Sequence, residues 1–174
     1  MRVGLVSDTH GLADPRLPEV LAGCDLVLHA GDVVKEAVLD ALRRIAPVTA
    51  VRGNCDEGTS LARLPTSVLV PLGPLLALLV HDAGAPDHPA AEVRTLLARH
   101  RPHVVVHGHS HRPGAALAGG ALFVNPGSAG PRRFHLPRAA AVLDVDGRRV
   151  RVAWFDLAAP RGPGPLRAPF EASL

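Results

Sequence analysis

The first residues of the chain place a carboxylate and an imidazole at the end of a short apolar run. Val3 to Val6 is typical of a strand buried on both faces, and Asp8 and His10 follow it closely. Residues two apart on an extended chain point to the same side, and ligands of α/β sheets bind beyond the carboxyl ends of the strands. We therefore expect Asp8 and His10 to reach into one crevice.

The same pattern, an apolar run that ends in oxygen or imidazole groups, recurs four more times along the chain. One such ending is weak support for a site, but five in sequence order indicate one site assembled from five strand ends. The four later endings are Asp32, Asn54 with Asp56, His81 with Asp82, and His109 with His111.

Carboxylate, amide and imidazole ligands together predict a catalytic metal centre. This set suits Mn, Fe, Zn or Ni better than a closed structural zinc site. Seven ligands are too many for one tetrahedral ion, and they suffice for two ions about 3.5–4 Å apart if one carboxylate bridges them. The candidate metal ligands are Asp8, His10, Asp32, Asn54, His81, His109 and His111.

Taken one at a time, these and neighbouring residues also have plain structural interpretations. Asp32 could cap a helix and Asn54 could close a turn. We interpret His29 and His107 as core or supporting histidines rather than ligands. Asp56 is expected either to orient Asn54 and its loop or to be a solvated turn acid.

The elements that must position these residues begin as β-α-β-α-β, which predicts parallel neighbouring strands. The pattern as a whole predicts an α/β fold with a β-rich second half and residues 1–157 as one domain. Residues 158–174 are expected to form a Pro/Gly-rich tail that is either loosely ordered or packed only at Phe170. Helices are expected at 14–21, 34–45 and 90–100, and strands at 3–6, 25–29, 47–51, 67–71, 75–80, 103–106, 113–118, 121–124, 139–145 and 149–155.

Composition limits the classes of function. Apolar residues make up 47% of the 174-residue chain and aromatic residues 3%, so the core must be built from Ala, Val and Leu. The net charge of +3 permits anionic substrates, and the lack of an aromatic-rich basic stripe makes nucleic acid a weaker hypothesis. Two cysteines provide no disulfide framework, which favours a cytoplasmic protein, and we expect no membrane span.

The motifs, taken in order, resemble those of a known family. Asp-Thr-His at 8–10, Gly-Asp at 31–32, Gly-Asn-Cys-Asp at 53–56, the lone His81 and Gly-His-Ser-His at 108–111 are similar to those of calcineurin-like metallophosphoesterases. The similarity is greatest to the short bacterial and archaeal phosphodiesterases, whose fold a eukaryotic retromer subunit shares, and it covers roughly residues 1–155. It implies a four-layer α/β/β/α sandwich of two mixed sheets.

The resemblance also implies roles for the candidate ligands. Two divalent ions are expected, with manganese as the first choice and Fe, Zn or Ni as alternatives. A bridging hydroxide would attack the phosphorus of a small phosphoester, a diester rather than a monoester, while Asn54 and His109 position the phosphoryl oxygens. One ion would be held by Asp8, His10 and His111, the other by Asn54, His81 and His109, with Asp32 bridging.

Several positions leave alternatives open. Cys55 stands where related phosphatases often have a histidine that helps the leaving oxygen, and Asp82 stands where the family commonly has glycine. The Asn-Pro-Gly-Ser loop at 125–128 would form a wall of the pocket or an ordinary turn. The arginines that follow it would contact substrate phosphate or form a solvated basic face; they are Arg132, Arg133 and Arg138.

A second functional hypothesis comes from a different class. A protein with this fold could be a metal-binding scaffold with little or no turnover, like the retromer relative. A scaffold is free to lose Asp8 or His10, and this chain retains both. A homodimer through the β-rich second half is a further open alternative.

Overall fold

The computed structural model describes residues 1–160 and 162–174. Short 3-10 turns lie at Asn54–Asp56 and Ser60–Arg63. The α-helices are Leu17–Val20 (α1), Glu36–Arg43 (α2) and Ala91–His100 (α3). The strands are Arg2–Val6 (β1), Leu26–His29 (β2), Val48–Ala50 (β3), Ser67–Leu72 (β4), Leu75–Val80 (β5), Gly84–Ala85 (β6), His88–Pro89 (β7), Val104–Val106 (β8), Gly114–Ala118 (β9), Ala121–Asn125 (β10), Ala139–Asp146 (β11), Arg149–Asp156 (β12), Gly164–Pro165 (β13) and Phe170–Ser173 (β14).

Most strands belong to two mixed sheets. The first has the order β13-β12-β11-β1-β2-β3, with β14 also paired to β12. Its strands β1, β2 and β3 are parallel, as predicted, whereas β11 runs antiparallel to β1. The second sheet has the order β4-β5-β8-β10-β9, in which β5, β8 and β10 are parallel and the two edge strands are antiparallel.

Alternation along the strands creates three apolar layers. Val3 and Leu5 of β1 pack between the two sheets, together with Leu79 and Val106 of the second sheet. Val6, which points the other way, packs with the apolar faces of α1 and α2. A third cluster lies between the second sheet and α3. The order of layers is therefore α/β/β/α, and the predicted four-layer fold is confirmed.

The segment after residue 157 is better ordered than we predicted. Two of its stretches form β13 and β14, and both pair with β12. Phe170, Ala172 and Leu174 pack on the cluster between the sheets, whereas Glu171 and Ser173 are exposed. The prediction of a loosely ordered tail was wrong because the high Pro and Gly content hid this alternating pattern.

Two further differences concern local structure. The short hairpin of β6 and β7 was not predicted, since its strands are only two residues long and carry no alternating pattern. The helix α1 begins at Leu17 instead of 14, and Arg16 directly before it donates its backbone N–H to Asp14 Oδ1 at 2.8 Å. In the described part of the chain, no helix combines the length and the apolar character that crossing a membrane requires.

The packing of β14 yields a stability prediction. Phe170→Ala removes a partly buried ring from the cluster between the sheets, so we expect the free energy of unfolding to fall by about 1–2 kcal/mol. Phe134→Ala is the matched control because that ring is 90% exposed. Urea unfolding of both variants checks this, and equal stability of the two would mean that β14 does not contribute to the core.

Candidate metal centre

The loops that follow β1 and β2 run side by side beyond the sheet. The backbone N–H of Asp8 donates to Gly31 O at 3.0 Å, and that of His10 donates to Asp32 O at 2.9 Å. The parallel pairing of the two strands is thus continued past their carboxyl ends. As a result, the side chains of Asp8, His10 and Asp32 are held at one edge, where the sequence predicted a crevice.

Five of the candidate ligands have a left-handed backbone. This conformation is uncommon in residues other than glycine and costs roughly 1–2 kcal/mol each. It persists only where the surroundings enforce it, and such residues concentrate at functional sites. The φ angles are 54° for Asp8, 45° for His10, 54° for Asp32, 62° for His109 and 58° for His111.

Asp8, His10 and His111 form the first ligand group. The Asp8 carboxylate is fully buried; its Oδ1 lies 3.2 Å from His111 Nε2 but has no hydrogen-bond partner among the described residues. His10 Nε2 lies 3.4 Å from His111 Nε2, so two ring nitrogens and a carboxylate oxygen converge. One atom from each residue lies within 4.8 Å of the others, a spacing that one metal ion can span.

His81 and Asn54 form a second group beside the first. His81 Nδ1 lies 2.7 Å from Ala30 O and must carry a hydrogen to bond to it, so Nε2 presents a lone pair. That lone pair faces Asn54 Oδ1 at 3.1 Å and Asp32 Oδ1 at 3.5 Å. When the His81 ring is neutral, all three of these atoms are acceptors, an arrangement that a bound cation would satisfy.

The Asp32 carboxylate lies between the two groups. Its Oδ2 is 3.8 Å from His10 Nε2 of the first group, and its Oδ1 is 3.5 Å from His81 Nε2 of the second. Oδ1 also accepts the backbone N–H of Cys55 at 2.8 Å, which fixes the orientation of the carboxylate. Asp32 therefore occupies the position that a bridging ligand needs.

His109 lies at the rim of the second group. Its ring centre is 5.2 Å from that of His81, and its side chain is 49% exposed. Its backbone N–H donates to Asp8 Oδ2 at 3.2 Å, which ties this loop to the first group. The structure thus brings all seven candidate ligands into one region, with His109 and Asn54 on its exposed side.

Asp56 joins two of the loops that carry ligands. It is fully buried, its Oδ1 accepts the N–H of Val34 at 2.7 Å, and its Oδ2 accepts the N–H of Gly53 at 2.8 Å. Of the two interpretations made from the sequence, a residue that orients the Asn54 loop fits and a solvated turn acid does not.

Of the two histidines interpreted as supporting residues, His29 is buried and His107 is half-buried. His29 is fully buried with Nε2 3.0 Å from Thr9 Oγ1, and burial lowers its pKa to about 4. Burial likewise lowers the pKa of His107 to about 4, and that ring packs edge-on to Phe123. Both rings are neutral at pH 7.

Electrostatics favour the forms that bind metal. Burial alone would raise the pKa of Asp8, but the neighbouring His111 and Ser7 side chains outweigh it, and the pKa lies below its usual range. Burial, with help from Arg133, lowers the pKa of His10, so its ring is neutral at pH 7. Burial, then Asp32, raises the pKa of the Cys55 thiol.

The Asn-Pro-Gly-Ser loop supports the site from below. Asn125 Nδ2 donates to Gly108 O at 2.8 Å, and Ser128 Oγ donates to Asp8 O at 2.9 Å. These bonds hold the loops of both sheets, so the loop is more than an ordinary turn. The sequence alone did not indicate a role for Ser7. Its Oγ packs directly against the backbone of Gly108, since a Cβ on that glycine would lie only 1.8 Å from it.

The three arginines after this loop have different surroundings. Arg138 pairs with the buried Asp14 and donates from Nε to Gly130 O at 2.7 Å. It therefore has a structural role, which differs from both predicted alternatives, a contact with substrate phosphate and a solvated basic face. Arg133 Nη2 lies 3.5 Å from His10 Nδ1, at the mouth of the site. Arg132 is exposed.

A cleft of 310 Å³ opens next to the second group. Asn54, His81 and His109 line it, together with Arg52 and Asp82. A substrate in this cleft would reach the second group directly. The site therefore combines a concave surface, paired ligand groups and a nearby guanidinium.

Comparison with known proteins gives consistent matches. A family model for the calcineurin-like phosphoesterase superfamily domain matches residues 1–148. A probable metallophosphoesterase of Methanothermobacter thermautotrophicus is 30% identical over 166 residues, covering 92% of this chain and 95% of the relative. The probable metallophosphoesterase YsnB of Bacillus subtilis is 30% identical over 168 residues, covering 91% and 92%.

Solved structures share the fold. Vacuolar protein sorting 29 from Cryptosporidium parvum superimposes with a TM-score of 0.80 at 22% identity, covering 99% of this chain and 98% of that one. YfcE, a phosphoesterase from E. coli, superimposes with a TM-score of 0.71 at 24% identity, covering 99% of each chain. At these identities the likeness establishes the fold alone.

The burial of His29 predicts a pH dependence of stability. Because its pKa is lowered from 6.5 to about 4, the unfolded chain binds the extra proton first, and stability is lost as the pH falls from 6.5 towards 4. The loss from this residue amounts to about 3 kcal/mol. The His29→Gln variant lacks this contribution, so the difference in the free energy of unfolding between the wild type and the variant should become smaller as the pH falls.

Urea unfolding of the metal-free wild type and of His29→Gln at pH 7.0, 5.5 and 4.5 checks this. Other titrating groups, such as His107, are common to both proteins and cancel in the difference. If the free energies of unfolding of the two proteins changed in parallel with pH, protonation of His29 would not destabilise the fold and the prediction would be wrong.

Proposed function

The chain belongs to the calcineurin-like phosphoesterase superfamily, and from this premise we propose that it is a phosphodiesterase that uses two divalent ions, manganese first. The observation that carries the proposal is that Asn54 Oδ1 and Asp32 Oδ1 lie 3.1 and 3.5 Å from His81 Nε2. Three atoms that can each bind a metal thus converge beside the first group. The unpartnered, buried Asp8 Oδ1 makes the same case for the first group.

The residues fit two ions in number and in type. Asp8, His10 and His111 would hold the first ion, Asn54, His81 and His109 the second, and Asp32 both. When bound, such ions supply Lewis acidity and a hydroxide nucleophile near neutral pH. Because the two carboxylates balance only half of the +4 charge, the centre would attract a phosphate ester and stabilise its more negative transition state.

The exposed side of the site would contact the substrate. Asn54 presents its amide to the cleft, so its Nδ2 can donate to a phosphoryl oxygen, whereas His109 at the rim would position the substrate through the ion that it helps to hold. The guanidinium of Arg133, 3.5 Å from His10, adds positive charge at the mouth. The charge of the centre would accept a diester monoanion or a monoester dianion, so the choice of a diester follows from the resemblance of the motifs to those of the short phosphodiesterases.

The alternative is a metal-binding scaffold without useful turnover. Structural likeness to vacuolar protein sorting 29 permits it, since the fold alone does not fix function. The retention of every candidate ligand, and the left-handed backbone at five of them, favours the enzyme.

Hydrolysis of bis(p-nitrophenyl) phosphate tests the proposal. We expect metal-stripped protein to be inactive and added Mn²⁺ to restore turnover. Asp32→Asn keeps the shape and the contact to the Cys55 N–H but removes the bridging charge, so the rate should fall about 100-fold or more. Asp40→Asn, an exposed change on α2, is the matched control. Bound metal without turnover under any divalent ion would favour the scaffold.

Cys55 leads to a prediction about the leaving group. A thiol whose pKa is raised by burial is a poor proton donor to a departing oxygen, and general acid help is worth about 100-fold or more. We therefore expect aryl diesters to be hydrolysed at least about 100-fold faster than alkyl diesters. Cys55→His should raise the rate on alkyl diesters, and comparable turnover of both ester types by the wild type would contradict this prediction.

A further inference from the structure

Asp82 follows the candidate ligand His81 directly and occupies a fixed position at the end of β5. Its Oδ1 accepts the backbone N–H of Gly84 at 2.9 Å. Its other oxygen, Oδ2, lies 3.7 Å from Nε2 of His109. One carboxylate thus joins the ends of β5 and β8, because it is anchored on its own loop and faces a ligand on the next.

The two rings of the second group are held in different ways. His81 is buried, and the backbone carbonyl of Ala30 accepts its Nδ1–H, so its Nε2 is free for a metal. His109 is 49% exposed, and among the described residues the carboxylate of Asp82 is the acceptor that its ring faces. Without such a partner, an exposed imidazole turns about its side-chain bonds and gains no fixed tautomer.

A carboxylate selects one form of the facing ring. Ionised Asp82 can only accept, so a neutral His109 beside it keeps its hydrogen on Nε2 and leaves the lone pair on Nδ1. Histidines that bind metals commonly donate the second ring N–H to a carboxylate or a carbonyl, which fixes the ring and raises its basicity. The 3.7 Å separation is longer than a hydrogen bond, and a small rotation of either exposed side chain closes it to one.

We propose that Asp82 is a positioning residue for the second ion: it holds Nε2–H of His109 and thereby makes Nδ1 the ligand atom. The two histidines of that group would then bind through opposite ring nitrogens, His81 through Nε2 and His109 through Nδ1. The inference rests on the metal centre proposed above. Both side chains are too exposed for this contact to contribute much to folding, so its effect lies in metal binding.

Asp82→Asn is the most informative variant. The amide oxygen still accepts the N–H of Gly84, so the local turn is kept, but the charge facing His109 is lost. Asp87→Asn is the matched control, since it removes the same charge from an exposed position in the β6–β7 hairpin. Titration calorimetry with Mn²⁺ should show that Asp82→Asn binds one of the two ions about ten-fold more weakly than the wild type does. The affinities of the control variant should equal those of the wild type.

Proton NMR of the Co²⁺-loaded protein gives a second readout. Each bound histidine contributes a strongly shifted signal from its free ring N–H, and this signal disappears in D₂O. We expect the signal of His109, assigned with His109→Gln, to shift or to vanish by exchange in Asp82→Asn, whereas that of His81 is unchanged because Ala30 O holds it.

The outcomes separate this inference from the proposed function. If the wild type binds two ions and Asp82→Asn binds them equally well, the positioning role is wrong and the metal centre stands. If affinity falls but the N–H signal of His109 is unchanged, Asp82 acts otherwise, for instance as a direct ligand, and the inference is overturned. If the wild type binds no divalent ion, the proposed function itself fails.

Discussion

The buried carboxylate of Asp8 is the group on which the rest of the site depends. An ionised carboxylate without solvent costs several kcal/mol unless its surroundings compensate. Here the compensation comes from loops of both sheets. Asp8 Oδ2 accepts the N–H of His109, and the neighbouring His111 and Ser7 side chains also favour the ionised carboxylate, while the N–H of Gly130 and the hydroxyl of Ser128 hold the backbone of Asp8 in place. Its remaining oxygen has no partner among the described residues, which leaves a cation as the natural counterpart.

Such close approach of several loops requires strained backbone and very small residues. The left-handed conformations at Asp8, His10 and Asp32 are held by backbone hydrogen bonds between the β1 and β2 loops. A Cβ on Gly108 would lie 1.8 Å from Ser7 Oγ, and one on Gly53 would lie 2.2 Å from Asp32 Oδ1. The glycines within the motifs are therefore needed because loop backbone passes directly against ligand side chains, as well as for turning the chain.

Local signals in the sequence predicted the central strands, the helices and the identity of the clustered residues. Apolar runs with polar ends need only neighbouring residues to be recognised, and their order along the chain implied one edge of the sheets. The strand β14 was missed because Pro and Gly surround its alternation. The pairing of Arg138 with Asp14, 124 residues apart, could not be inferred, since it depends on how distant loops meet. The same holds for the orientation of Asp82 towards His109.

The division of the ligands between the sheets has a consequence for how the site and the fold support each other. Asp8 and Asp32 follow strands of the first sheet, whereas His81 and His111 follow strands of the second. Neither sheet carries a complete set, so an ion that binds only the folded chain stabilises the junction between the sheets. The apolar layer between the sheets holds them together independently of any ion, and the two outer layers hold the helices against the sheets. The core can therefore bear the strain and the buried charge that the loops concentrate at this one edge.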